Sequence, residues 1–153
     1  MRRYEYRRRL PHYQKTDVPL FITFRTSNFL ILPDQARSLV LSHCLRDHEN
    51  TIHLFAAIAM PDHVHLLLTP LRDNEGWIFE LPKILRAIKG SSSRNINKLM
   101  TRTGPLWQDE SFDHVLRSAE SLQQKTEYIR QNPVRKGLVK RPEDYPWLWL
   151  APE

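Results

Sequence analysis

Two histidines, His63 and His65, stand one residue apart inside the apolar run AMPDHVHLLLTP, Ala59 to Pro70. Side chains alternate along a strand, so His63, His65 and Leu67 share one face while Val64, Leu66 and Leu68 form an apolar face opposite. The two histidine Cα atoms then lie roughly 7 Å apart, and both imidazoles can converge on one ion. Imidazole suits zinc, manganese, iron, nickel or copper, which makes His-x-His a two-ligand unit that is incomplete by itself. The same pair also reads as two histidines satisfied within the protein. Downstream, EYIRQNP puts Tyr128 and Asn132 four residues apart, hence on one helical face. Asn132 has a carbonyl oxygen that can ligate a divalent ion. The Tyr128 hydroxyl is a competent nucleophile once its proton is lost or its oxygen is aligned. A phosphodiester held on a metal is a fitting target, because the ion offsets charge on the phosphoryl oxygens. Against this, Tyr128 reads as a buried ring with its hydroxyl satisfied, and Asn132 as a helix-ending residue before Pro133.

The elements that must position these groups are legible in outline. PLFITFRTS, Pro19 to Ser27, is rich in β-branched and aromatic residues and predicts a strand. A helix follows from near Pro33, with Ala36, Leu39, Val40 and Cys44 at helical spacing. Ile52 to Met60 predicts a second, central strand. Pro61-Asp62 makes a turn, and His63 to Thr69 runs back as a third. After a polar loop, Arg72 to Gly76, the stripe Ile78, Leu81, Ile84, Leu85 and Ile88 predicts a long helix, which Gly90 and three serines are expected to bend or interrupt. A fourth strand is expected near Phe112 to Arg117. Ser118 is placed to cap a last helix that Pro133 should end. The tail, 142–153, carries two tryptophans expected to fold back. Strand, helix, strand, strand, helix, strand, helix is the order of an α+β, ferredoxin-like split βαβ sandwich. That fold is an antiparallel sheet with helices on one face, here with one further, tyrosine-bearing helix.

Composition narrows the class. The chain of 153 residues suits a single domain, with 41% hydrophobic and 26% charged residues. Its one cysteine, Cys44, excludes an internal disulfide, fits a reducing cytoplasm and falls on an apolar helix face, where a small core residue is expected. No apolar run approaches the roughly 20 residues that span a bilayer. A formal net charge of +6 points to polyanions. Residues 1–17 form a basic arm in which Arg7, Arg8 and Arg9 follow Tyr4 and Tyr6. Basic groups interleaved with aromatics can hold phosphates while rings stack on unpaired bases, although a solvated terminus is the plainer reading. The arm lacks the apolar segment of a secretion signal.

Taken together, MPDHVHLLL and the later EYIRQNPVRKGLV resemble the single-tyrosine HUH transposases of the IS200/IS605 type, and especially their REP-associated subgroup. The basic start, KGSSSRNIN, GPLWQDESFDHVLR and the closing YPW are similar as well, so the resemblance covers nearly the whole chain. It implies that His63 and His65 bind Mg²⁺ or Mn²⁺ with Asn132 as a further ligand. Tyr128 would attack a phosphate of single-stranded DNA at a palindromic hairpin, leaving a 5′-phosphotyrosine link and a free 3′-hydroxyl. Lys89, Arg94, Arg130, Arg135 and Lys136 could track the DNA backbone. Relatives of this type exchange the last helix between subunits, so a homodimer is one arrangement. Asp62 stands where Asn is more usual, and Arg130 where His is frequent. The segment holding Asp113 and His114 reads as a surface strand. Histidine-triad hydrolases are disfavoured because Leu67 stands in place of a third histidine. The 2H phosphoesterases are disfavoured because neither histidine has Thr or Ser two residues on. The remaining rival is a non-catalytic hairpin-binding protein with a vestigial metal site.

Overall fold

The computed structural model describes residues 18–152. The basic arm, with Arg7, Arg8 and Arg9, lies outside the described residues. The described chain forms β1 (Leu20–Arg25), α1 (Asp34–Arg46), β2 (Ile52–Ala59), β3 (His63–Pro70), α2 (Leu81–Met100), β4 (Phe112–Val115), α3 (Ala119–Arg135) and β5 (Leu148–Leu150). The strands make one antiparallel sheet in the order β4-β1-β3-β2-β5. Its first four strands and two helices follow the split βαβ order expected above. β5 is an addition: the Trp-rich tail does fold back, and does so as an edge strand pairing Ala56 with Leu150 and Ile58 with Leu148. Among the described residues no helix is long and apolar enough to cross a membrane.

Two cores sandwich the sheet. On one face Ile22, Phe24, Leu54, Val64, Leu66 and Leu68 pack against Ala36, Val40 and Cys44 of α1 and Ile84, Ile88 and Ile96 of α2. Burial pushes the Cys44 thiol up to about 12, so it is an inert core group. On the other face Phe21, Ala56, Ile58, Met60 and Leu67 meet Ile129 of α3 and Tyr145. Strict alternation along β2 cannot give this division. The register shifts between Leu54 and Ala56, so Leu54 and Ala57 share a face across an extra residue.

Two expected helix boundaries are corrected. α2 runs unbroken through Gly90 and Ser91 to Ser93 as far as Met100. The buried row Ile84, Ile88, Ser92, Ile96 passes straight through the serines, and this packing outweighs their weak helix propensity. Ser92 Oγ also accepts from the buried Trp107 indole at 3.0 Å. Pro133 does not end α3, which continues to Arg135. A proline removes one helical donor but leaves its own carbonyl, and here that carbonyl accepts from Leu138 N at 2.9 Å while Gly137 N reaches Val134 O at 3.0 Å. Gly137, at φ +76°, supplies the left-handed residue that this paired cap requires, so the stop signal is Gly137. At the other end Ser118 caps α3 as expected, accepting from Ser121 N at 3.2 Å.

The Trp107–Ser92 bond gives a test of the α2 core. Ser92→Ala leaves a buried indole N–H unpaired and should cost about 1–3 kcal/mol in urea unfolding. A loss below a few tenths of a kcal/mol would mean that the indole finds another acceptor.

Candidate active site

β3 lies between β1 and β2, and its register sets the site. His65 pairs across the ladder with Thr23 and His63 with Arg25, while Ile58 flanks His65 from β2. Both imidazoles therefore point to the face covered by α3, and both are 5% exposed. Their ring centroids stand 4.7 Å apart. α3 crosses above them and puts the Tyr128 ring 5.9 Å from the His65 ring. Asn132, one turn on, is 2% exposed. The four residues line a single cleft of about 330 Å³ with Arg25, Ile31, Asp62, Lys136 and Leu138.

Buried imidazoles must hydrogen-bond, and each does so through Nδ1. His63 Nδ1 donates to Asp62 Oδ1 at 2.7 Å. His65 Nδ1 stands 2.8 Å from Thr23 Oγ1. The Asp62 carboxylate can only accept, so the His63 proton lies on Nδ1 and its Nε2 keeps a lone pair; His65 Nε2 does the same in the tautomer that donates to Thr23. Burial lowers the His63 pKa, opposed by Asp62. Burial, then the neighbouring His63 and the cations Arg25, Lys125 and Arg135, push His65 down from 6.5 to about 3. Both rings are thus neutral donors near neutral pH.

Asn132 supplies a further sign that the cleft accepts an outside group. Its Nδ2 is buried with no hydrogen-bond partner among the described residues, and its Oδ1 receives only a 3.4 Å contact from Arg135. Turning the amide over exchanges these two atoms, at the cost of facing Nδ2 toward the Arg135 donor. Two neutral imidazole nitrogens and an amide oxygen suit a divalent cation that keeps other positions open to water or phosphate.

Tyr128 is 41% exposed and held from several sides. Arg135 stacks on its ring at 4.2 Å and donates to the Tyr128 carbonyl at 2.9 Å. Lys125 Nζ lies 4.8 Å from the ring centroid, and Phe21 meets it edge-on at 6.0 Å. The ring is clamped by packing and two cations while one edge stays open.

The basic residues separate by location. Lys136 reaches the cleft, and Arg135 grips Tyr128 beside it. Arg130 instead pairs with Glu127 and Glu143, each at 3.1 Å. Lys89 sits on α2, across the sheet, and donates to Gln108 O, Asp109 O and Ser111 Oγ, so it pins a loop. Arg94 is exposed on that same helix. A larger cleft of about 660 Å³ lies there, between α2 and the 105–113 segment, and contains none of the four central residues. Asp113 and His114 occupy the exposed edge strand β4, as read. Sequence reasoning missed Thr23, Arg25, Phe21 and Lys125. Only Lys125 carried a local signal, one turn before Tyr128; the others depend on strand register.

A second group has the ligand types of a metal site. His48, Glu49 and His53 bring one ligand atom each within 4.8 Å of one another, at the opposite end of β2 from His63. However, His48 Nδ1 accepts from Leu54 N at 2.9 Å, which puts the proton of the neutral ring on Nε2. Neither nitrogen then offers a lone pair, so an ion there requires His48 to give up its backbone bond.

Comparison with known proteins gives consistent matches. The family model described as "Transposase IS200 like" matches residues 35–132. A protein of Haemophilus influenzae, provisionally named a REP-associated tyrosine transposase, is 27% identical over 103 residues, which are 60% of this chain and 55% of that one. The chain thus spans about half the length of that relative. The REP-associated tyrosine transposase of Escherichia coli K12 is 24% identical over 147 residues, 94% of this chain and 80% of that one. Among solved structures, a REP-associated tyrosine transposase bound to a REP hairpin superposes with a TM-score of 0.68 at 21% identity, over 87% of this chain and 76% of that one. A bacterial tRNA(His) guanylyltransferase-like protein in complex with GTP gives 0.57 at 16% identity, over 90% and 72%. Likeness at these identities speaks to the fold alone.

The state of His65 has a measurable consequence. In the unfolded chain its imidazole takes up a proton near 6.5, whereas in the fold it resists protonation down to about 3. Protons therefore favour the unfolded chain, and stability falls as pH drops through that window. His65→Gln removes this share, so its thermal midpoint should fall less than that of the wild type between about pH 7 and about pH 4.5. Equal slopes would show that His65 is not held neutral.

Proposed function

The chain belongs to the IS200-like transposase family, and from that premise we propose that it is a metal-dependent single-stranded DNA endonuclease and strand transferase acting at palindromic hairpins through Tyr128. The observation that carries this reading is one juxtaposition: the Tyr128 ring stands 5.9 Å from His65, on the face of the sheet where the buried Asn132 Nδ2 has no partner among the described residues. His63, His65 and Asn132 would hold Mg²⁺ or Mn²⁺. When bound, such an ion would draw charge from the phosphoryl oxygens and orient the scissile phosphate.

Every other part of the chemistry falls to the chain itself. Arg25 and Lys136 border the cleft and offer positive charge to a phosphodiester backbone. Phe21, Lys125 and Arg135 restrict the Tyr128 ring, so its hydroxyl is presented with little rotational freedom. The Tyr128 oxygen attacks phosphorus, its proton passes to solvent at the open edge, and the bond to the 3′ oxygen breaks. That oxygen takes up a proton and leaves as a 3′-hydroxyl, while the 5′ phosphate remains on Tyr128. Rejoining is the same sequence reversed. Asp62 acts through His63: a carboxylate on Nδ1 fixes the tautomer and raises the basicity of Nε2.

Two tests follow from these roles. The protein should cleave a single-stranded oligonucleotide carrying an imperfect palindrome only with Mg²⁺ or Mn²⁺, and Tyr128→Phe should lose the covalent adduct to the detection limit while still binding. Undiminished cleavage by that variant would remove Tyr128 as nucleophile. Binding without cleavage under any metal would instead favour a hairpin-binding protein with a vestigial site. Separately, Asp62→Ala should weaken Mn²⁺ binding roughly 10-fold in calorimetry. Unchanged affinity would mean that the His63 ring is oriented without its carboxylate.

A further inference from the structure

Between β1 and α1 the chain makes a tight turn, Ser27–Phe29, in which two successive residues adopt left-handed backbone: Asn28 at φ 55° and Phe29 at φ 57°. Asparagine tolerates that region, but a bulky aromatic residue there is a true outlier and is held against its own preference. Phe29 gains nothing from burial in return, because it is 91% exposed. The turn is nonetheless firmly fixed. Thr26 Oγ1 donates to Leu30 O at 2.8 Å, and Ser27 N donates to Leu106 O at 2.8 Å. Thr26 N donates to Asp62 O at 3.0 Å and Leu32 N to Pro61 O at 2.7 Å. The last two bonds fasten the turn to the residues just before His63, and Ile31, two residues past Phe29, lines the cleft itself.

We propose that Phe29 is a stacking platform for an unpaired base of single-stranded DNA, at a nucleotide beside the phosphate held in the cleft. This rests on the reading of that cleft as a DNA-cleaving site. The occupant follows from the chemistry of the cleft that the turn reaches through Ile31. Arg25 and Lys136 border the adjoining cleft and Ile31 adds an apolar wall, which together suit a strand with anionic phosphates and flat π faces. The hydrogen-bonded turn fixes the backbone from which the ring projects, and a base stacked on that ring would hold its neighbouring phosphate in register with Tyr128. A protein partner would use the ring as well, but would leave DNA affinity indifferent to it.

The experiment uses the full chain without divalent metal and fluorescein-labelled single strands carrying an imperfect palindrome with an unpaired flank, followed by anisotropy, with a parallel set carrying one 2-aminopurine at successive flank positions. Phe29→Gly should weaken binding on the order of 10-fold, because one stacked base is lost. It should not lower the thermal midpoint, because glycine adopts the left-handed conformation freely. Phe29→Tyr should stay within about twofold of wild type, since the ring face is kept. The salt dependence of binding should be the same in all three, as no charge changes. Wild type should quench 2-aminopurine at one position, and Phe29→Gly should abolish that quenching. Unchanged affinity and quenching in Phe29→Gly, with wild type binding normally, overturns the platform and leaves the nuclease reading standing. Loss in Phe29→Gly that Phe29→Tyr fails to restore also overturns it, as does a lowered midpoint, which marks a folding role. Failure of wild type to bind any single strand overturns both readings.

Discussion

Burying two neutral imidazoles on the central strand of the sheet is the constraint on which the rest of this structure depends. A buried ring nitrogen without a partner is costly, so each histidine must find one inside the protein. Asp62 serves His63 from the preceding turn, and Thr23 serves His65 from across the ladder. Both partners take Nδ1, which leaves the two Nε2 atoms as the remaining polar capacity of the pair. The Asp62 carboxylate thereby fixes a free lone pair on His63 Nε2, and His65 offers its own when its Nδ1 donates to Thr23.

α3 completes the arrangement, and its length matters as much as its position. Ile129 seals it onto the second core, which holds Tyr128 and Asn132 above the histidines. The helix extends beyond Pro133 to a glycine cap, and this extra stretch carries Arg135, which grips Tyr128, and leads to Lys136 at the cleft. A helix ending at the proline would have no such clamp. The short antiparallel strand β5 and the buried Tyr145, whose hydroxyl donates to Ala59 O at 2.6 Å, brace the end of β2 next to the histidine turn.

Charge around the site is divided between positioning and solvent-facing roles. Lys125 and Arg135 lie over aromatic rings, whereas Arg25 and Lys136 border the opening. Arg25, Lys125 and Arg135 also oppose protonation of His65, and Arg25 and Lys136 oppose that of His63, so the positive surface that would attract a polyanion helps to keep the proposed ligands neutral. Basic residues elsewhere do different work: Lys89 pins the 108–111 segment and Arg130 closes an ion-pair network. A net charge of +6 therefore does not by itself say which cations are available to a partner.

What the sequence by itself determined were the features encoded within a few residues of each other. The period of two on β3 put His63 and His65 on one face, the i, i+4 spacing put Tyr128 beside Asn132, and Ser118 capped the last helix. The order of elements followed from the same local patterns, and so did the helix face that buries Cys44. The tertiary structure alone decided what those faces meet. It paired His65 with Thr23, forty-two residues away, and placed a bulge in β2 that reassigns Ala57 to the other core. It carried α2 through its serines, where distant Trp107 supplies the bond that makes Ser92 welcome. The physical reason is the same in each case: periodicity is a property of neighbouring residues, whereas register and helix continuation depend on free energy gained by burial against residues far along the chain.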